Sequence, residues 1–419
     1  MKKIIILAVL ASVVLKSATA QIVSDSVFSQ SIKTVILQKN GVELSMPVIR
    51  LGSSEKLFLS FDELSDNGTY FSYRIQHCTS DWQISDLPPS EFIDGFETSS
   101  VGNSQFSFTT KQSYVNYWET IPNDMSRITA SGNYILTVFP DSDPDSVIFT
   151  KRFMVYEAAS NIRTEVGQVV GAEGRHHNQN VSVWVTAPKG QYFNNPQMYL
   201  HLYVQQNGRR DLLRQLPVYG ISGNEIAYKW KDENVFPGGN EFRYFDVSNM
   251  NFPMYTTERV ETFGGENFAY LKPEQDRSGK NYIYEDGLNG QFRVSAANKV
   301  NMDAEADYVW VNFALPMSSP RMDGSFHIAG NFTNWSLGEE TRLEWNPKLK
   351  CYTARIYVKQ GYYSYQIIFV PWGEREGLTS VLEGDFLEAR NDYYVFLYQH
   401  YPSDRYDRLI GFSNVESWK

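Results

Sequence analysis

At 419 residues the chain is too long for a single hydrophobic core, and two or three domains are expected. Hydrophobic residues at 42% and charged residues at 21% exclude a disordered tail and a multi-span helical membrane protein. A net charge of −10 argues against a nucleic-acid binder, which needs a lysine and arginine surplus, and two cysteines are too few for a disulfide framework or a four-cysteine zinc site.

Lys2 and Lys3 precede an apolar run at 4–15, and Ala18-Thr19-Ala20 is a small-residue cleavage signature. Residues 1–20 therefore read as a secretory signal peptide, too short to cross a bilayer, and its removal takes Lys2, Lys3 and Lys16 with it. No later run approaches the roughly 18 apolar residues of a spanning helix, so an exported, soluble protein that does not itself span the membrane is expected.

Helix-period patterns are missing, and short runs rich in Val, Ile, Tyr, Phe and Thr recur between Gly, Pro, Asn and Asp. Over 21–158 they predict strands at 34–38, 46–51, 56–61, 70–78, 105–110, 134–139 and 147–156, which suits a β-sandwich. Asn67-Gly68 tolerates positive φ, so 56–61 and 70–78 are predicted to form a hairpin. A second hairpin is predicted around 141–145.

After a linker at 158–161, strands at 180–186, 198–205, 225–230 and 241–247 and an irregular segment at 272–290 predict a second β-rich domain over 159–300. Strands at 308–315, 325–329, 352–359, 362–370 and 392–398 predict a C-terminal sandwich over 301–419. The fold class is all-β, two or three β-sandwich domains in series. Uneven loops and a linker count against one transmembrane barrel. Cys78 and Cys351 fall in different domains; an oxidising compartment permits a bridge between them, and two buried unpaired thiols are the simpler reading.

Motifs of catalysis are thin. Asp141, Asp143 and Asp145 alternate as in a calcium loop, but Ser146 and Arg152 stand where Gly and a bidentate Glu belong. His176 and His177 diverge on an extended strand, and no H-E-x-x-H pair or G-x-S-x-G elbow occurs. Arg277-Ser-Gly-Lys280-Asn281 lacks the leading Gly and the Ser or Thr of a phosphate loop. No catalytic, cofactor-binding or metal residue is assigned, no cofactor is expected, and the chain is read as a non-enzyme.

Two aromatic constellations stand out. One ends in Asp81-Trp82, where Trp82 either closes its own sandwich or anchors a partner. The other starts at Phe236 and runs into a strand whose one face carries Glu241, Arg243 and Phe245. That face suits an internal ion pair beside a core aromatic, or a rim and anchor for a protein partner.

His77-Cys78-Thr-Ser-Asp81-Trp82, Phe92-Ile-Asp94-Gly95-Phe96 and Ser131-Gly-Asn-Tyr134 resemble the plug protein family of the type IX secretion system of Bacteroidota. Gln206-Asn207-Gly-Arg209-Arg-Asp211 and 236–246 carry the resemblance further. It implies a periplasmic stopper, associated with the outer membrane, that binds the translocon barrel and closes its inner mouth without catalysis. The segment from Gly324 to Trp335, with Trp345 and 359–366, is similar to an early-set, immunoglobulin-like glycogen-binding sandwich, although 367–371 replaces its polar turn. That second resemblance implies an alternative, a carbohydrate-binding envelope protein in which Trp335, Trp345 and Trp372 stack on sugar.

Overall fold

The computed structural model describes residues 24–169, 171 and 174–418, and the expected signal peptide at 1–20 lies outside them. Strands dominate, and the α-helices among the described residues are single turns such as Pro89–Phe92.

In the first sandwich one sheet is built on Phe71–Cys78, Gly132–Pro140 and Phe149–Tyr156. The facing sheet orders Ile32–Lys39, Leu57–Glu63, Val115–Ile121 and Asn103–Phe106. Alternate residues of Phe71–Cys78 point inward, and Phe61, Phe71, Tyr117 and Phe149 meet in the core. Gly132–Pro140 and Phe149–Tyr156 form the predicted second hairpin.

The first predicted hairpin does not form. Leu57–Glu63 pairs with Ile32–Lys39 and Val115–Ile121, whereas Phe71–Cys78 lies in the opposite sheet. Asn67-Gly68 is part of an arch between sheets, and neither residue takes the positive φ that a tight hairpin needs. Core packing decides this: Phe61 and Phe71 meet edge to face with centroids 5.5 Å apart across the sandwich. Strand Val115–Ile121 was not predicted, because Asn116 and Glu119 interrupt its apolar pattern. Asn116 is buried and donates to Asp62 Oδ1 at 2.7 Å.

The second sandwich sets Asn161–Gln168, Asn178–Thr186 and Glu225–Tyr228 against a sheet of Leu213–Leu216, Leu200–Gln206, Asp392–Gln399 and Arg408–Glu416. Strand 392–398, expected in the C-terminal sandwich, instead pairs antiparallel with Leu200–Gln206. Its Tyr393, Val395 and Leu397 are fully buried in one core with Val183, Leu202 and Phe236.

The third sandwich is thereby inserted into the second. One sheet runs Thr257–Phe263, Glu266–Leu271, Tyr308–Pro316, Cys351–Lys359 and Glu344–Asn346. The other centres on Gly361–Pro371, flanked by Arg243–Asp246, Phe292–Val294 and Gly324–Ala329. Residues 241–247 and 257–271 were expected within 159–300, but Phe245, Ala269 and Leu271 join the third core with Val309, Phe313 and Ile367. Strands 235–237 and 392–399 of the second sandwich thus bracket the third in sequence.

Candidate functional site: the joints between sandwiches

The motifs singled out in the sequence come together where the three sandwiches meet. At the end of Phe71–Cys78 the chain turns sharply: Trp82 N–H donates to Thr79 O at 3.0 Å, and Trp82 takes φ +65°. This is an unfavourable conformation for a bulky residue, held by what its ring touches. The indole packs with Val48 and Met154 of the first sandwich and with Tyr394, Phe396, Tyr398 and Leu409 of the second. The Arg152 guanidinium sits 4.2 Å from the ring centroid. Ser80 N–H donates to Asp407 Oδ2 at 2.7 Å, and Tyr398 OH donates to Asn133 Oδ1 at 2.6 Å. Trp82 is therefore an internal anchor between two sandwiches. Asp81 is exposed and caps this turn, accepting from Thr79 and Gln83.

His77 braces the same joint, with Nδ1 2.8 Å from Ser85 Oγ and Nε2 3.1 Å from Ser131 O. Burial lowers its pKa, which favours the neutral ring. Gly132 has φ +131°, and a Cβ there would lie 2.5 Å from His77 Nε2. Gly132→Ala is expected to destabilise the chain by about 1–3 kcal/mol. Chemical denaturation checks this, and an unchanged midpoint refutes it.

The second motif forms the joint between the second and third sandwiches. Asn207 exchanges two bonds of 2.8 Å with Asp392 and donates from Nδ2 to Asn391 Oδ1 at 2.6 Å. Buried Arg209 donates to Gly377 O at 2.7 Å and pairs with Asp211. Phe236 is fully buried in the second core and Phe245 in the third. Arg243 donates from Nε to Glu383 Oε1 at 2.8 Å and from Nη1 to Glu274 Oε2 at 2.7 Å. Arg277 donates to Glu383 Oε2 and to Glu241 O. Burial would raise the pKa of Glu383, but Arg243, Arg277 and the Ile367 N–H hold it down at about 2. At Glu241 burial dominates and raises the pKa, while Tyr282 OH donates to Oε1 at 2.6 Å.

The first and third sandwiches are joined by residues that sequence reasoning missed. Asp62 and Lys359, both almost wholly buried, pair at 2.7 Å. Tyr308 OH donates to the same carboxylate at 2.6 Å, and the ammonium lies 4.2 Å from the Tyr114 centroid. Lys111 and Gln112 N–H groups both donate to Asp307, and Tyr114 OH donates to Ala306 O at 2.8 Å.

The three tryptophans of the carbohydrate reading do not share one setting. The Trp335 ring is covered by Gly290, where a Cβ would stand 2.2 Å from Cη2, and meets Phe242 edge to face. Trp345 packs on Tyr352, and Trp372 is 58% exposed and donates to Met322 O at 2.9 Å. Among the described residues no group of three or more His, Cys, Asp and Glu side chains could hold a metal ion, and no helix is long and apolar enough to cross a membrane. Cys78 and Cys351 are free and buried, and burial pushes the Cys78 thiol up to about 12.

The fold and these joints define an all-β protein of three interlocked sandwiches. Residues 32–157 match the family described as type 9 secretion system plug protein 1st domain. No curated protein matches the chain. A crystal structure of a hypothetical protein from Parabacteroides merdae ATCC 43184 superposes with a TM-score of 0.91 at 31% identity, covering 94% of this chain and 99% of that one. The first sandwich is thus that of the type IX secretion system plug protein family.

Proposed function

We propose that this protein is a periplasmic plug, which binds the periplasmic opening of the type IX outer-membrane translocon barrel and closes it by steric occlusion. The observation that carries the reading is the jointing of three sandwiches through a buried ion pair, hydrogen bonds and a shared apolar cluster. A stopper for a wide pore must resist deformation, and a body whose domains share buried polar joints does so without ordering a loop on each closure. Holding a pore closed about 99% of the time needs roughly 2.7 kcal/mol of net bias. An interface of ordinary size supplies that and still releases when cargo arrives. This role asks for no reactive group. A tagged chain captured from native envelopes after mild crosslinking is expected to bring a very large β-barrel protein with it. Recovery of free monomer alone refutes the reading.

A further inference from the structure

Between the first and third sandwiches lies a cleft of about 930 Å³. Its walls include the consecutive residues Ile32, Lys33, Thr34 and Val35 of one strand and Arg355 to Lys359 of another. Successive side chains of a strand point to opposite faces, so a cleft that touches every residue of a run follows the edge of that strand. The pairing agrees. Ile32–Lys39 is the outermost strand of its sheet, paired only with Leu57–Glu63. Cys351–Lys359 is covered on its outer side only as far as Thr353, by Glu344–Asn346. The cleft therefore runs beside two open strand edges of different sandwiches, which converge where Thr34 Oγ1 and Tyr308 OH stand 2.7 Å apart.

Open edges are templates for further strands, and proteins ordinarily blunt them. Here a bulge between Lys33 and Ile36 interrupts the register, and Thr34 stands at φ +50°, which strains a β-branched residue. The charges on the walls are unequal in their satisfaction. Asp25 is paired with Arg210 and Arg152, Glu340 accepts from Ser336, and Lys359 is taken by Asp62. Lys33 is half-buried and has no hydrogen-bond or ion-pair partner among the described residues. Opposite it, Arg355 donates only to the neutral Asn312. Trp310, Tyr357 and Phe292 supply apolar surface alongside.

We infer that this cleft receives an extended, carboxylate-bearing segment of a partner polypeptide, added as a strand to the open edge of residues 354–359 with its acid groups on Lys33 and Arg355. Main-chain hydrogen bonds to that edge give affinity, and the flanking cations and aromatics select the sequence. The uncovered edge from Ala354 to Lys359 is about 20 Å long at roughly 3.3 Å per residue, enough for one short strand. The inference is independent of the plug reading.

The test uses the full chain, immobilised and screened with a display library of short linear peptides. Selected peptides are expected to alternate apolar residues with Asp or Glu. Their binding should fall at least about tenfold on Lys33→Glu and on Arg355→Glu, and vanish when proline replaces their central residue. Hydrogen exchange should slow at 354–358 on binding. The inference is overturned if no peptide is selected, or if selected peptides bind Lys33→Glu unchanged. It is equally overturned if those amides are protected in proportion to protein concentration without peptide, which would mean that a second copy fills the cleft.

Discussion

Lys359→Ala is expected to lower the stability of the chain by about 3–5 kcal/mol, because it strands the Asp62 carboxylate in a dry joint. The carboxylate would keep Tyr308 OH and Asn116 Nδ2 as donors, but no counter-ion. Asp62→Asn combined with Lys359→Met removes both charges, keeps the Oδ1 acceptor for Asn116 and turns an amide N–H towards Tyr308 OH, whose oxygen can accept it. This double variant is expected to recover most of the loss, since a buried ion pair adds little beyond a neutral pair of the same shape. Urea denaturation of the two single variants and the double decides the matter. A loss below about 1 kcal/mol for Lys359→Ala would show that the joint is open to water.

The second large effect lies at Glu383. Glu383→Ala leaves Arg243 and Arg277 without their shared carboxylate, and a loss of at least about 3–5 kcal/mol is expected. Its acid dependence follows from the depressed pKa, about 2 in the folded chain against an ordinary 4.5. The unfolded chain takes up this proton first as pH falls. The stabilisation is complete above about pH 5 and is lost progressively as pH drops through 4.5 towards 2, amounting to on the order of 3 kcal/mol. Glu383→Gln should flatten that part of the stability profile. A slope identical to that of the unaltered chain between about pH 5 and pH 3 would locate the acid sensitivity elsewhere.

Local pattern carried the fold class well. Alternation in Phe71–Cys78 and the continuous aromatic and β-branched run of Asp392–Gln399 mark both as strands in the sequence, and both are strands in the structure. Partner choice was not legible, because it depends on contacts far apart in the chain. Asn67-Gly68 looked like a hairpin turn until the packing of Phe61 on Phe71 placed the flanking strands in facing sheets. Asp392–Gln399 is close in sequence to Gly361–Pro371 yet pairs with Leu200–Gln206. The site was half legible. Trp82, Glu241 and Arg243 drew attention by residue type, but their partners Arg152, Arg390 and Glu383 come from distant segments. Lys359 sits at the end of an alternating strand and gives no sign that its counter-ion is Asp62.

The insertion of the third sandwich within the second carries a consequence for the order of synthesis. The strand Leu200–Gln206 emerges early, yet Asp392–Gln399 and Arg408–Glu416, which complete its sheet, emerge only after the whole inserted sandwich. The surface on which Trp82 docks includes Tyr394, Tyr398 and Leu409, so it too is absent until then. A chain interrupted before those strands has a first sandwich with no seat for its indole and a second with an unfilled edge. Such a fragment exposes apolar surface and is a target for proteolysis rather than a usable product. Only a chain made at least as far as Glu416 can lock its first two sandwiches together.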